Sequence, residues 1–148
     1  MYVLFHLLSI FRALSCCQTR SFIQVFDKKS FLESLDECYG DPLNTNSTLL
    51  CLLYLVLAIG LVIARPPHGS PEEAVIHKLR LERASRAELF YRSARILADP
   101  VSGFEDGDFW SIQALVLTSF YMLAVSKRNA AYAYHGKLAI LGVFHLEP

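Results

Sequence analysis

The stretch DGDFWSIQALVLTSFYMLAVSKRNAAYAYHG, residues 106–136, decides the fold of this chain. Its first half contains the run 109–124, in which four residues are polar and none is charged. A helix of this composition is covered on most of its circumference, so it needs neighbours on several sides. Acidic residues precede the run and Lys127 and Arg128 follow it, an order that suits the helix dipole. The stretch therefore predicts an interior helix, a short basic break and a second helix rich in small and aromatic residues.

The composition narrows the class of protein. The chain has 148 residues, which is enough for one domain with a real core. Lysine plus arginine equal aspartate plus glutamate at 14 each, so the formal net charge is zero. A surface that holds nucleic acid normally carries a basic excess. We therefore do not expect this chain to bind DNA by itself.

The four cysteines do not have the spacing of a metal site. Cys16, Cys17, Cys38 and Cys51 form no C-x-x-C pair, and no histidine lies at ligand spacing from them. Cys51 lies inside a continuous apolar run, which is typical of a buried small hydrophobic residue rather than of a disulfide framework. This cysteine usage fits a reducing compartment, the cytosol or the nucleus.

A second apolar run has two interpretations. Residues 49–64, LLCLLYLVLAIGLVIA, are uncharged, but a membrane span needs about 20 residues, and shorter runs are more often buried core helices. Gly60 also interrupts the run. We therefore predict a core helix. The alternative is a small membrane protein that uses 49–64, together with the apolar residues 1–17.

Periodicity elsewhere is helical, and no alternation typical of strands is present. Residues 28–38 predict a helix that Asp27 can cap, with one apolar face formed by Phe31, Leu32 and Leu35. The run 49–64 predicts the next helix, for which Ser47 or Thr48 can serve as the cap.

The clearest helix start in the chain is at residues 70–73. Ser70 offers a cap, Pro71 suits the first helical position, and Glu73 lies three residues after the cap. We expect this helix to run to about Ala98. One face is predicted to be an apolar stripe formed by Ala87, Phe90, Ala94 and Leu97. The opposite face is basic and carries Lys78, Arg80, Arg83, Arg86, Arg92 and Arg95.

The basic face has compensating acidic residues. Glu82 stands four residues before Arg86, and Glu88 stands four before Arg92, the favourable order for ion pairs on a helix. We therefore interpret this face as solvated rather than as a phosphate-binding surface. The whole pattern predicts an all-α fold of five to six helices in a multi-helix bundle. Its core residues are expected to be Leu52, Leu55, Phe90, Trp110, Leu115, Phe120 and Tyr121.

No set of residues in the sequence forms a recognisable reaction centre. His135 has no nucleophile or orienting group at a spacing that defines a site. The loop glycines match no phosphate-binding pattern. Trp110 is best explained as a core anchor, with ligand stacking as the alternative. We therefore predict no enzyme activity and no catalytic, cofactor-binding or metal-binding residue in this chain.

The amino-acid sequence of residues 100–136 resembles the regulatory domain of fungal zinc-cluster (Zn2Cys6) transcription factors, the middle homology region of the xylanolytic-activator type. Four motifs agree in order and spacing: Gln113-Ala114-Leu115, Ser119-Phe120-Tyr121, Arg128-Asn129-Ala130-Ala131 and Gly136. Residues 27–31 and 47–64 are similar to earlier segments of the same region. We therefore expect residues 22–148 to be a partial regulatory domain and residues 1–21 to be a poorly matching N-terminal segment.

The resemblance implies a nuclear, all-helical, non-catalytic domain that regulates transcription. Its partners would be other parts of the full-length regulator or the transcription machinery, with self-association possible and no membrane expected. In this family, DNA is read by an N-terminal cluster of six cysteines that holds two zinc ions. Four scattered cysteines cannot form that cluster, so this chain is expected to be a fragment that contacts DNA only through a zinc-cluster domain outside it. No cofactor is expected in the chain itself.

Overall fold

The fold was analysed in a computed structural model, which describes residues 28–41, 44–81, 86–97 and 109–146. These residues form helices and contain no strand. The helices are α1 (Lys28–Gly40), α2 (Ser47–Ile63), α3 (Pro71–Leu81), α4 (Arg86–Leu97), α5 (Phe109–Ala124) and α6 (Arg128–Leu146). The prediction of an all-α multi-helix bundle is confirmed.

Helix α2 begins at Ser47, two residues before the apolar run, because its N-cap is Asn46 rather than Ser47 or Thr48. The Asn46 side chain accepts a hydrogen bond of 3.0 Å from the backbone N–H of Thr48. Ser47 is already the first helical residue, so the prediction that Ser47 or Thr48 caps the helix was wrong. Asparagine is as good a cap as serine, since its short carbonyl reaches the free N–H groups of the first turn.

Helix α2 forms the centre of the bundle. Its most extensive contacts are with α4 and α5, and it also meets α1 and α3. Its buried residues occur all around the helix: Cys51, Leu52, Leu53, Leu55, Val56, Leu57, Ala58, Ile59, Gly60 and Leu61. In the described parts of the chain, no helix is both long and apolar enough to cross a membrane. The burial of residues all around α2 confirms the prediction that the run 49–64 is a core helix.

Helix α3 starts as the sequence predicts. The backbone N–H of Glu73 donates to the Ser70 hydroxyl at 3.2 Å, and the Glu73 carboxylate accepts from the backbone N–H of Gly69 at 2.7 Å. The predicted single helix to Ala98 is described as two helices, α3 and α4. Residues 82–85 between them, which include Glu82, and residues 98–108 after α4 lie outside the described residues, as does the predicted cap Asp27.

Helix α4 buries a face against α2 that is wider than the predicted stripe. Ala87 and Ala94 are buried, while Phe90 and Leu97 are partly buried against the core. Phe90 also stacks on Tyr54 of α2, with 5.7 Å between ring centroids. Tyr91, which the stripe did not include, is buried as well.

Four of the seven predicted core residues are fully buried: Leu52, Leu55, Leu115 and Tyr121. Phe90, Trp110 and Phe120 are only partly buried, which corrects the prediction for these three aromatic residues. Each lies at the border of the buried face of its helix. On α5, Phe120 shares a side with the exposed residues Phe109 and Leu123.

Helix α5 has the predicted bounds, and a tight turn joins it to α6. The backbone N–H of Lys127 donates to the carbonyl of Met122 at 2.8 Å, and that of Ser126 donates to Leu123 at 3.0 Å. Ser126 has a φ of 62°, the left-handed conformation that closes this type of helix end. Since α6 starts at Arg128, it folds back along α5 and packs extensively against it.

Candidate functional site

A polar contact joins α4 to α5 in the described bundle. The Tyr121 hydroxyl donates to one oxygen of the Glu88 carboxylate at 3.1 Å. Arg92 Nε donates to the other oxygen at 3.2 Å, so the ion pair predicted from the four-residue spacing is confirmed. One carboxylate therefore binds both a neighbour on its own helix and a buried phenol on another helix.

The surroundings of Glu88 and Tyr121 determine the protonation states of these two side chains. Burial disfavours the ionised form of Glu88, but hydrogen bonds from Arg92 and Tyr121 and the positive charges of Lys127 and Arg92 outweigh it and lower its pKa. Burial, and then the adjacent Glu88 carboxylate, raise the pKa of Tyr121. At neutral pH the carboxylate is therefore charged and the phenol keeps its proton, which is the pairing that a charge-assisted hydrogen bond requires.

A stack of two tyrosine rings adjoins this polar contact. Tyr91 of α4 and Tyr121 of α5 have ring centroids 4.6 Å apart and planes inclined by 17°. Burial raises the pKa of Tyr91, and the neighbouring hydroxyl of Tyr134 on α6 adds to the effect. The Tyr91 hydroxyl is buried but is not placed in hydrogen-bonding geometry with any group of the described residues. Aromatic side chains from α4, α5 and α6 thus meet at one place.

Arg80 forms a second polar contact between helices, at the end of α2. Its guanidinium donates to the carbonyls of Leu61 and Ala64 at 2.7 Å each, and to that of Val62 at 3.4 Å. These carbonyls lie in the last turn of α2 and just after it, where a helix lacks partners for its C=O groups. Burial lowers the pKa of Arg80. Arg80 is exposed, as expected for the basic face, and its guanidinium also binds the end of α2.

The residues considered for chemistry lie apart from one another. His135 is exposed on α6, and Trp110 is partly buried near the start of α5. Cys38 and Cys51 are buried cysteines outside any disulfide, whereas Cys16 and Cys17 lie outside the described residues. Within the described ranges, no group of three or more His, Cys, Asp or Glu side chains could hold a metal ion.

A shallow, half-open crevice lies between α1 and α2, and it encloses essentially no space that a water molecule could occupy. It is apolar except for one serine, and its lining residues are Ser34, Leu35, Cys38, Leu49 and Leu53. Sites for small molecules usually measure about 300–1,000 Å³ and contain several converging polar groups. This crevice is smaller and lacks those groups, so it is best explained as imperfect packing of α1 on α2.

Comparison with known protein families identifies the family to which this chain belongs. The model of the fungal specific transcription factor domain matches residues 11–142. The chain belongs to this family. No curated protein and no solved structure matches it. The family predicted from the motifs of residues 100–136 is thus confirmed, and with it a role in the regulation of transcription. The alternative of a small membrane protein is not favoured.

The family motifs on α5 are mainly packing residues. In Gln113-Ala114-Leu115, the alanine and leucine are fully buried, and in Ser119-Phe120-Tyr121, the serine and tyrosine are buried. Tyr121 is also the residue that bonds Glu88 and stacks on Tyr91. In this chain the α5 motifs thus fix the positions of neighbouring helices.

Sequence reasoning found one of the polar contacts and missed the others. The spacing of Glu88 and Arg92 was a sufficient signal for their ion pair. The hydrogen bond of Tyr121 to Glu88 and the contacts of Arg80 with the end of α2 join residues distant in the sequence, and so does the stack of Tyr91 on Tyr121. No local pattern could have indicated them.

Proposed function

We propose that this chain is a non-catalytic regulatory domain that acts in the nucleus, through contacts with other parts of a transcription regulator or with the transcription machinery. The observation that carries the proposal is the family match over residues 11–142. The polar contacts also support it, because Glu88, Tyr121 and Arg80 are used between helices rather than directed at a pocket.

The role in regulation can be tested with a reporter gene. The full chain is inserted between a characterised DNA-binding module and a characterised activation segment, and reporter output is compared with that of the same fusion without it. We expect the chain to change the output. Leu115→Asp should abolish the effect, because it places a charge at a fully buried position of α5.

The matched control is Ile96→Asp on α4, where the side chain is 84% exposed. This variant should retain the effect of the unmodified chain. Protein levels are compared by immunoblotting. Equal reporter output with and without the chain, or equal effects of Leu115→Asp and Ile96→Asp, would contradict a regulatory role for the folded domain.

DNA would be contacted only through a zinc-cluster domain outside this chain, and the zinc ions would be held there. The formal net charge of zero supports this division, because affinity for DNA depends on releasing counterions from phosphate. Binding of the purified chain to duplex DNA at physiological salt should be non-specific, with a Kd weaker than about 1 μM. A tighter and sequence-dependent affinity would overturn this part of the proposal.

The same division predicts the content of the neighbouring genomic DNA. The upstream DNA should encode six cysteines in paired C-x-x-C units beside a basic stretch, because such spacing lets six thiolates hold two zinc ions. Translating all frames on both sides of the coding sequence, with introns considered, tests this expectation. Flanking DNA without a zinc cluster would contradict a direct link between this chain and a DNA-binding domain.

A further inference from the structure

The charged residues of this chain are distributed unevenly. Residues 86–97 and 109–146, which include α4, α5 and α6, contain six lysine or arginine residues and one carboxylate, that of Glu88. A formal net charge of zero for the whole chain is therefore compatible with a basic region in its second half. A surface that concentrates one sign of charge attracts partners of the opposite sign.

Four of these cations surround the tyrosine side chains that join α4, α5 and α6, and we call them the basic rim: Arg92, Arg95, Lys127 and Lys137. The charges of Arg92 and Lys127 act on the carboxylate of Glu88. The charge of Arg95 acts on the hydroxyl of Tyr91. Lys137 Nζ lies 5.7 Å from the ring centroid of Tyr134. Since the hydroxyls of Tyr91 and Tyr134 are neighbours, α4 and α6 carry basic side chains on both sides of one junction.

Most of the charge of the basic rim is uncompensated within the described residues. The Arg92 side chain is 71% exposed, Arg95 and Lys127 are exposed, and Lys137 is partly buried. Arg92 pairs with Glu88. In the described ranges, no carboxylate lies within ion-pair distance of Arg95, Lys127 or Lys137. The basic rim therefore has positive charge with which an acidic partner can pair.

We propose that the basic rim binds a segment of a partner protein that is rich in aspartate and glutamate. From Lys127 to Lys137 the chain advances ten residues, about 15 Å along a helix. An acidic helix of about three turns spans this length and presents carboxylates on one face at three- and four-residue spacing. Such a surface rests on the proposed role in contacts with other polypeptides, and it specifies the chemistry of the partner.

The number of cations and the aromatic rings between them favour a protein segment over nucleic acid. Proteins that hold duplex DNA commonly make about 6–10 phosphate contacts, more than four cations can supply. Glu88 also lies among these cations and lowers their combined charge. The ring of Tyr134 is only partly buried, so it offers apolar area that the side chains of a protein segment can cover.

The decisive experiment measures the binding of labelled peptides to the purified full chain by fluorescence anisotropy. The first probe is an amphipathic helical peptide with glutamate along one face and leucine along the other. The second probe has glutamine in place of every glutamate. We expect the glutamate probe to bind at least about tenfold more tightly at low salt. Salt at about 1 M should remove most of this difference, because it screens charges beyond about 3 Å.

Charge reversal tests the location of the surface. Arg95→Glu on α4 and Lys137→Glu on α6 should each weaken binding of the glutamate probe about fivefold, because each replaces an attraction by a repulsion. The matched control is Lys78→Glu on α3, an exposed residue outside the basic rim with the same change in net charge. It should leave the dissociation constant within about twofold. Circular dichroism shows whether each variant folds.

Equal binding of the two probes would overturn the proposal, and so would equal weakening by Lys78→Glu. Duplex DNA that displaces the glutamate probe from the parent chain, but binds the Arg95→Glu variant poorly, would assign the basic rim to nucleic acid instead. All of these measurements use the purified chain, so their failure leaves the reporter experiment unaffected. An absent reporter effect with intact probe binding would contradict the regulatory role and leave the basic rim in place.

Discussion

Helices α2 and α5 are both free of charged residues, yet α2 is enclosed on almost every side while α5 is open along one side. Helix α2 is contacted by α1, α3, α4 and α5, whereas α5 packs mainly against α2 and α6. The difference is therefore one of position in the bundle. An apolar composition shows that a helix needs cover on several sides. It does not show which sides the same chain covers.

The largest expected effect comes from making the same substitution in both helices. Leu55 of α2 is 1% exposed, and Leu123 of α5 is 53% exposed. Leu55→Ala should lower the free energy of unfolding by about 2–5 kcal/mol, because it leaves a cavity in a closed core. Leu123→Ala should change it by no more than about 0.5 kcal/mol. Urea denaturation measures both.

Unfolding is followed at a low protein concentration, so that association does not contribute to the result. Equal losses for the two variants would show that the exposed side of α5 is covered within the chain. In that case the contrast between the two helices would disappear.

The next effect concerns the contact that ties α5 to α4. Tyr121→Phe removes the hydroxyl that donates to Glu88 and keeps the ring that stacks on Tyr91. Hydrogen bonds to charged groups contribute about 1.5–3 kcal/mol, and the partial exposure of Glu88 reduces this to about 1–2 kcal/mol. Thermal unfolding should show the loss. Tyr132→Phe, at a residue 74% exposed on α6, should leave the transition unchanged.

A smaller effect is expected at the end of α2, where Arg80 binds three carbonyls. Arg80→Ala should cost about 1 kcal/mol, because it removes partners from the last turn and a positive charge from the negative end of the helix dipole. Arg80→Lys keeps the charge but loses the planar fork, so it should recover only part of the loss. Full recovery by lysine would show that the charge alone stabilises this helix end.

The bounds of α5 could be predicted from the sequence because charged residues limit the apolar run on both sides. The start of α2 was harder, since three adjacent polar residues, Asn46, Ser47 and Thr48, can each cap a helix. Only the backbone geometry selected Asn46. Local chemistry thus predicts that a helix exists, while the choice between equivalent caps depends on the chain around it.

The partly buried aromatic residues show a second limit of prediction from the sequence, which concerns burial rather than helix ends. Phe120 has apolar neighbours at three and four residues on both sides, which predicted a core position. The helix is apolar on both its covered and its open side, so periodicity could not show which side faced α2. The contact of Tyr91 with Tyr121 was equally hidden, because it depends on α4 and α5 meeting in three dimensions.

The smallest expected effect is a pH dependence at Glu88. Its pKa is lower in the folded chain than the ordinary 4.5, so its stabilising contribution is present above about pH 4.5 and is lost as the pH falls through the folded value. Glu88→Gln keeps an oxygen that can accept from Tyr121 but has no charge. The variant should be less stable than the parent at pH 7, and the difference should narrow as the pH falls below about 4.5 and Glu88 takes up its proton.

Urea midpoints at pH 7 and at pH 3 measure this difference. The matched control is Glu33→Gln on α1, where the carboxylate lies 3.7 Å from Lys29 and both side chains are mostly exposed. Exposed pairs of this kind contribute about 0–1 kcal/mol, so this variant should differ little from the parent at pH 7. A gap for Glu88→Gln that stays the same at both pH values would show that the carboxylate acts through its shape. The tie between α4 and α5 would then depend on the tyrosine rings rather than on charge.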